Sequence, residues 1–131
     1  MDALNRFAHV KLVIIDDNDT TRAMLRSILR SEGIEVVAEA RDGAGGLALV
    51  KKHQPNVVCL DVMMPDMSGI EVLNQLKQEF PEVRVIMVTG STDRDTVQAA
   101  IEGGASGYLV KPFNAGKVVG ALDLVLGRKP S

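Results

Sequence analysis

Val57-Val58-Cys59-Leu60-Asp61-Val62-Met63-Met64-Pro65-Asp66-Met67-Ser68-Gly69 is the stretch that decides the fold. Val57 to Leu60 is a continuous apolar run of strand length, rich in the β-branched residues that fit a pleated surface. It shows no polar–apolar alternation, which is the pattern of a strand covered on both faces, as in a parallel sheet. The run ends in an acid, Asp61, and Asp66 lies beyond Pro65 in a loop, off the strand end. Ile70, Leu73, Leu76, Lys77 and Phe80 then step at helical spacing. A strand buried on both faces, ending in a carboxylate and feeding a helix, is one βα unit.

Four further runs repeat it: Leu12 to Ile15, Val36 to Ala38, Val85 to Val88 and Tyr108 to Val110. They start about two dozen residues apart, the room a strand and its crossover helix need. Val118, Val119, Leu122, Val125 and Leu126 mark the last helix, which ends near Gly127. The expected class is α/β, a (βα)5 doubly wound parallel sheet of five strands. Asp17, Asn18 and Asp19 precede the first helix as start signals, and Gly33 and Gly127 follow the first and last helices as stops. Gly43, Gly45 and Gly46 work against the second helix at about 1 kcal/mol each relative to alanine, so its first turn is expected to fray or begin late.

The chain's 131 residues fit one domain, residues 1–131. Surface scaling gives roughly 6,700 Å² folded against roughly 20,400 Å² unfolded, enough burial for one ordinary core. Fifteen Lys and Arg against 17 Asp and Glu leave a net charge of −2, which speaks against non-specific nucleic-acid binding. One cysteine makes no internal disulfide, and no apolar run approaches the ~20 residues that cross a bilayer. Met1 to Val10 lacks the apolar core of a signal peptide, so the cytoplasm is the expected address, with no membrane partner.

Several residues have ordinary readings. Cys59 is a core thiol in an apolar strand. His53, after Lys51 and Lys52, is a cation at a helix C-terminus, and His9 implies nothing. Met24, Met63, Met64, Met67 and Met87 are spread over different elements as core or loop filling. Arg22, Arg26 and Arg30 line one face of the first helix, roughly opposite Met24, Leu25 and Ile28; that face is either simply solvated or a docking surface for a helix bundle.

Ligands of an open parallel sheet bind beyond the carboxyl ends of its strands. There the chain places Asp16 and Asp17 after strand one, Asp61 after strand three, Thr89 after strand four, and Lys111 followed by Pro112 after strand five. With strands one and three as neighbours, three carboxylates, a hydroxyl and an ammonium meet. Like charges about 4 Å apart repel by on the order of 4 kcal/mol at an effective dielectric of 20. Lys111 balances one carboxylate, and a divalent cation would balance the rest. An oxygen-only site without clustered His or Cys points to Mg²⁺ or Mn²⁺ over zinc.

The pair Asp16-Asp17, the run Asp61 to Gly69, Val88-Thr89-Gly90, and Gly107-Tyr108-Leu109-Val110-Lys111-Pro112-Phe113 together resemble the receiver domain of bacterial two-component response regulators. The resemblance covers the chain from about Val10 to Leu126. It implies the flavodoxin-like strand order 2-1-3-4-5, of which chemotaxis receivers are a standing example. It implies that Asp61 is the phosphoacceptor, becoming 4-aspartylphosphate by attack on a phosphohistidine of a sensor histidine kinase or phosphotransfer protein. Asp16, Asp17, Asp61 and the backbone carbonyl of Met63 would hold Mg²⁺. Lys111 would pair with Asp61 and then with a phosphoryl oxygen, and Thr89 would hydrogen-bond that group. Tyr108 would change rotamer with it, altering the surface of helix four, strand five and helix five that meets a downstream protein target. The Lys111-Pro112 bond resembles the family's cis peptide, and Met63 and Ser91 stand where side chains tune the phosphoryl lifetime. Gly90 departs from the alanine of many relatives, and Gly45-Gly46 from a common Glu-Ala.

The function implied is a single-domain signalling switch, not an enzyme beyond its own phosphotransfer and autodephosphorylation, with chemotaxis as the pathway by analogy. A monomer is expected, with dimerisation on phosphorylation left open. The rival readings are a receiver module cut from a larger regulator, a degenerate receiver that only binds, an aspartate-nucleophile phosphatase, and a flavin-binding flavodoxin. The phosphatase usually has a second acid two residues after the nucleophile, where this chain has Met63. Acids after strand one would repel a flavin phosphate, and a chain without Trp and with 3% aromatics has little to sandwich the ring.

Overall fold

A computed structural model describes residues 7–90 and 93–127; Ser91 and the tail from Arg128 lie outside the described residues. Five βα units follow one another: β1 (Lys11–Ile15), α1 (Asp19–Ser31), β2 (Glu35–Ala40), α2 (Gly43–His53), β3 (Val57–Asp61), α3 (Gly69–Glu79), β4 (Arg84–Thr89), α4 (Arg94–Glu102), β5 (Gly107–Val110) and α5 (Ala115–Val125). The strands are all parallel, in the order β2-β1-β3-β4-β5. The chain therefore steps outward from β1 to β2, then returns past β1 to β3, and this reversal opens a crevice over the carboxyl ends of β1 and β3. Ile15 pairs with Leu60, so Asp16 and Asp61, each one residue further on, stand side by side at the carboxyl end of the sheet.

Strand side chains alternate between two apolar cores. Leu12, Ile14, Val57, Cys59, Ile86, Val88 and Leu109 face α1 and α5, meeting Leu25, Leu29, Val118, Leu122 and Val125. Val13, Ile15, Val58, Leu60, Val85 and Met87 face the other three helices, meeting Val50, Val72, Leu73, Leu76 and Ala100. Burial on both faces is why these strands read as unbroken apolar runs. Cys59 is the core thiol expected, and burial pushes its pKa up to about 12, leaving no thiolate at neutral pH. Gly33 and Gly127 take φ of 83° and 70° beyond α1 and α5, the left-handed geometry of a helix stop.

Four expectations need correction. Helix α2 does not start late; it begins at Gly43, because Asp42 accepts from the Gly45 N–H at 2.7 Å and Asp66 accepts from the Gly43 and Ala44 N–H groups at 2.9 and 3.0 Å. Its glycines let it pack close. A Cβ at Gly46 would lie 2.4 Å from Ile15 Cδ1, and one at Gly43 2.4 Å from Met67 Cγ. Met24 is exposed instead of packed, since α1 turns Leu25 and Leu29 to the core. Arg22 and Arg26 form no free face: Arg26 donates to both Glu39 oxygens at 2.9 and 2.7 Å, and Arg22 Nε lies 3.5 Å from Glu39. Only Arg30 of the three is exposed. Finally, α3 buries Val72 beside Leu73 and Leu76, with Ile70 at the margin. Phe7, ahead of every expected element, is buried in the α1–α5 core.

Candidate phosphoacceptor and metal site

The crevice is built from strand ends. Asp16 N–H donates to Ala40 O at 3.0 Å, which extends the β1–β2 pairing by one residue, and Arg22 donates to Asp16 O at 2.8 Å from one turn into α1. With its backbone held on both sides, Asp16 turns its carboxylate inward, where it is 1% exposed. Oδ1 accepts from the Asn18 N–H at 2.8 Å, and Asn18 in turn caps α1 through the Thr21 N–H at 2.8 Å. Asp16 is thus part of the helix start as well as of the crevice.

Asp61, the last residue of β3, is 5% exposed. One carboxylate oxygen from each of Asp16, Asp17 and Asp61 falls within 4.8 Å of the others, with Asp17 the exposed member. Lys111 Nζ stands 3.5 Å from Asp16 Oδ2 and 3.7 Å from Asp61 Oδ1. Both separations exceed a hydrogen bond, so the ammonium is shared between the two acids and saturates neither. Lys111 is itself placed by backbone: its N–H donates to Thr89 O at 2.8 Å, just past β5, and the Lys111–Pro112 bond is cis. The Met63 N–H points to Asp61 Oδ1 at 3.4 Å, and Met63's side chain is exposed.

Three carboxylates against one ammonium leave a visible deficit. Burial above all, and then the Asp16 charge, raise the Asp61 pKa to about 7 in spite of the opposing pull of Lys111 and the Met63 amide. Asp16 Oδ2 is buried with no hydrogen-bond partner. An acceptor oxygen left bare beside a desolvated carboxylate fits a hard cation, and the donor set is all oxygen, which suits Mg²⁺. A cavity of about 870 Å³ lies at the opposite edge of the sheet among Gln54, Asn56, Lys77 and Arg84 and holds none of these acids. Charge, not volume, marks this site.

Thr89 is buried at the end of β4. Tyr108 pairs with Met87 in the register, two residues before Thr89, so Thr89 and Tyr108 share one face of adjacent strands. Tyr108 is half-buried against the core on that face, and burial, with the charge of Asp93, raises its phenol pKa. The structure therefore gathers Asp16, Asp17, Asp61, Lys111 and the Met63 backbone into one cluster, with Thr89 and Tyr108 alongside. The reach of Arg22 to the Asp16 carbonyl, and of Asp66 to α2, had no legible signal in the sequence, because each joins segments that meet only in the folded sheet.

No described helix is long and apolar enough to cross a membrane. Residues 12–123 match the response regulator receiver domain. Chemotaxis protein CheY of Bacillus subtilis is 39% identical over 116 residues, covering 88% of this chain and 97% of that one. Transcriptional regulatory protein PdtaR of Mycobacterium tuberculosis is 35% identical over 90% of this chain, a match to 57% of its own length. The receiver domain of the response regulator NarL from Mycobacterium tuberculosis superposes with a TM-score of 0.85 at 35% identity, covering 91% of this chain and 98% of that one. CheY in the CheX-CheY-BeF3-Mg complex of Borrelia burgdorferi superposes with a TM-score of 0.86 at 30% identity, over 89% of each chain. The matched segment runs from β1 into α5 and contains every residue of the crevice, and on that ground the chain belongs to the response regulator receiver domain family.

Proposed function

We propose that this receiver, acting as one domain over residues 1–131, takes a phosphoryl group onto Asp61 from a phosphohistidine of a sensor histidine kinase or phosphotransfer protein. The observation that carries this reading is the buried Asp61 carboxylate, charge-frustrated beside Asp16 and within reach of a single ammonium. An Asp61 oxygen forms the new bond to phosphorus as the phosphorus–nitrogen bond to the donor imidazole breaks. Burial disfavours the free anion, so transfer of its charge to a bound phosphoryl group relieves the acceptor. Lys111, held between Asp16 and Asp61, is placed to follow the charge onto a phosphoryl oxygen. Asp16, Asp17 and Asp61, with the Met63 carbonyl, are the residues that would hold Mg²⁺, or Mn²⁺ by the same oxygen preference. When bound, the cation supplies neutralisation of the phosphoryl charge.

Thr89 then hydrogen-bonds the phosphoryl group, and its shift makes room for Tyr108 on the shared face, which changes the surface of α4, β5 and α5 presented to a protein target. The Borrelia CheY complex with CheX, BeF3 and Mg supports both the phosphoryl chemistry and a protein output. The match along nearly all of Bacillus subtilis CheY favours chemotaxis as the pathway and the cytoplasm as its place. The phosphatase alternative is disfavoured by Met63, which occupies the position where its second acid would stand.

Acetyl phosphate with Mg²⁺ should add one base-labile phosphoryl group, mapped to Asp61. Asp61→Asn should abolish it, and Asp95→Asn on the exposed face of α4 should not; equal labelling of the Asp61→Asn protein would remove the assignment. Thr89→Ala should still be labelled while losing most of the response. A Tyr108→Trp reporter should change its fluorescence on addition of beryllofluoride and Mg²⁺. If beryllofluoride leaves the Tyr108 resonances of the wild type unmoved, the Thr89–Tyr108 coupling must be given up.

A further inference from the structure

Asp66 is exposed in the turn from β3 to α3, yet both of its carboxylate oxygens are engaged. Oδ1 accepts from the Gly43 N–H at 2.9 Å and Oδ2 from the Ala44 N–H at 3.0 Å. These donors belong to the first turn of α2, where the helix dipole favours an anion, and they hold the Asp66 carboxyl below the usual carboxylate range. One residue on, Met67 lies against Gly43 so closely that a Cβ there would stand 2.4 Å from Met67 Cγ. A polar and an apolar contact thus staple the turn onto α2. At its base the Gly69 N–H donates to Val62 O at 2.7 Å. Between staple and base lies Met63, whose N–H approaches Asp61 at 3.4 Å and whose own side chain is 75% exposed. Nothing packed around the Met63 side chain sets its backbone. The turn sets it.

We propose that Asp66 is a positioning residue for the metal site: by pinning the β3–α3 turn to α2, it fixes the Met63 backbone, whose N–H approaches Asp61 and whose carbonyl would help to hold a cation. This rests on the phosphoacceptor reading above. A carbonyl ligand has no rotamer of its own to adjust, and Mg²⁺ demands near-ideal octahedral geometry, so a turn free to shift would offer its oxygen in the wrong place. The link also makes α2 part of the site's support, although α2 contributes no residue to it. Asp42 caps Gly45 independently, so α2 retains its N-cap when Asp66 is replaced.

The test is a Mg²⁺ titration of the thermal midpoint and, separately, of the acetyl phosphate labelling rate. Asp66→Ala should raise the Mg²⁺ concentration for half of the full effect roughly tenfold in both, as loss of a supporting contact to a metal ligand does. Asp66→Asn, which keeps one acceptor oxygen, should fall between. At saturating Mg²⁺ the labelling rate of Asp66→Ala should return to that of the wild type, whereas a merely destabilised protein would show a lower metal-free midpoint with an unchanged Mg²⁺ requirement. That last pattern would overturn the proposal. Should Asp66→Ala fail to fold, Met67→Ala loosens the same staple from its apolar side and should raise the Mg²⁺ requirement in the same direction; an unchanged requirement there also overturns it. If the wild type itself shows no Mg²⁺ response, the phosphoacceptor reading falls first, and the two failures are distinct.

Discussion

Gly69→Ala is expected to destabilise the protein by about 3 kcal/mol, at the upper end of what overpacking costs. A Cβ at this position would lie 2.1 Å from Asp61 O, 2.7 Å from Val62 Cα and 2.9 Å from Asp61 C. All three are backbone atoms, so no side chain can swing aside, unlike Gly46, where the obstructing atoms belong to Ile15. The clash also falls on the strand end that carries Asp61, so the methyl group would move that carboxylate as well as strain the turn. Urea unfolding should show a lower midpoint at an unchanged slope. Gly120→Ala supplies the contrast: it sits in α5 with nothing within 4 Å of the added Cβ and should gain about 1 kcal/mol from helix propensity. An unchanged midpoint for Gly69→Ala would show that the close approach constrains nothing.

In the absence of divalent cations, Asp61→Asn should stabilise the protein at pH 8 by on the order of 2 kcal/mol, and the gain should vanish near pH 4. Asp61 has its pKa raised from 3.8 to about 7 by burial and by Asp16. Between those values the folded state holds the proton more tightly than the unfolded state, so folding takes up a proton and stability falls as pH rises. The contribution is intact below the unfolded value, declines across the interval from about pH 4 to pH 7, and is gone above it. Asparagine has nothing to titrate and escapes that decline. Millimolar Mg²⁺ should then reverse the ranking, since a cation binding only the native site stabilises the wild type by mass action and the substituted site less. Thermal midpoints of both proteins at pH 4, 6 and 8, with Mg²⁺ and with a chelator, test the whole scheme. A metal-free stability difference between wild type and Asp61→Asn that is the same at every pH would mean that Asp61 is not charge-frustrated in the fold.

The sequence by itself determined the class and order of elements. Leu12 to Ile15, Val57 to Leu60 and Val85 to Val88 are buried on both faces, and that condition writes itself into sequence as unbroken apolar runs; the edge strands β2 and β5 carry the same pattern with partial exposure. The chemistry was legible for a related reason. Ligand-binding groups of a parallel sheet gather at the carboxyl ends of the strands, so Asp16, Asp61 and Lys111 could be picked out as the first polar residues after apolar runs, and Thr89 as the hydroxyl ending another. Strand order was not legible in the residues alone; it came with the family resemblance, because any arrangement of five such strands satisfies the same apolar pattern.

What only the tertiary structure decided are the relations between segments that local pattern cannot join. The glycines of α2 read as weak helix formers, since propensity counts one residue at a time, whereas their use is to let Ile15 and Met67 approach. Met24 and the arginines of α1 read as a packed face and an open one, yet a small rotation of the helix exposes the methionine, and Glu39 from β2 takes up Arg22 and Arg26. Phe7 precedes any periodic segment and becomes core only by joining the cluster on the α1–α5 side of the sheet. The sharing of Lys111 between Asp16 and Asp61, the bare oxygen of Asp16, and the span from Asp66 to the start of α2 depend on distances of 3 to 4 Å between residues far apart in the chain. Periodicity reports burial, which a residue carries in its own type; a contact needs two partners, and the second is named only when the chain has folded.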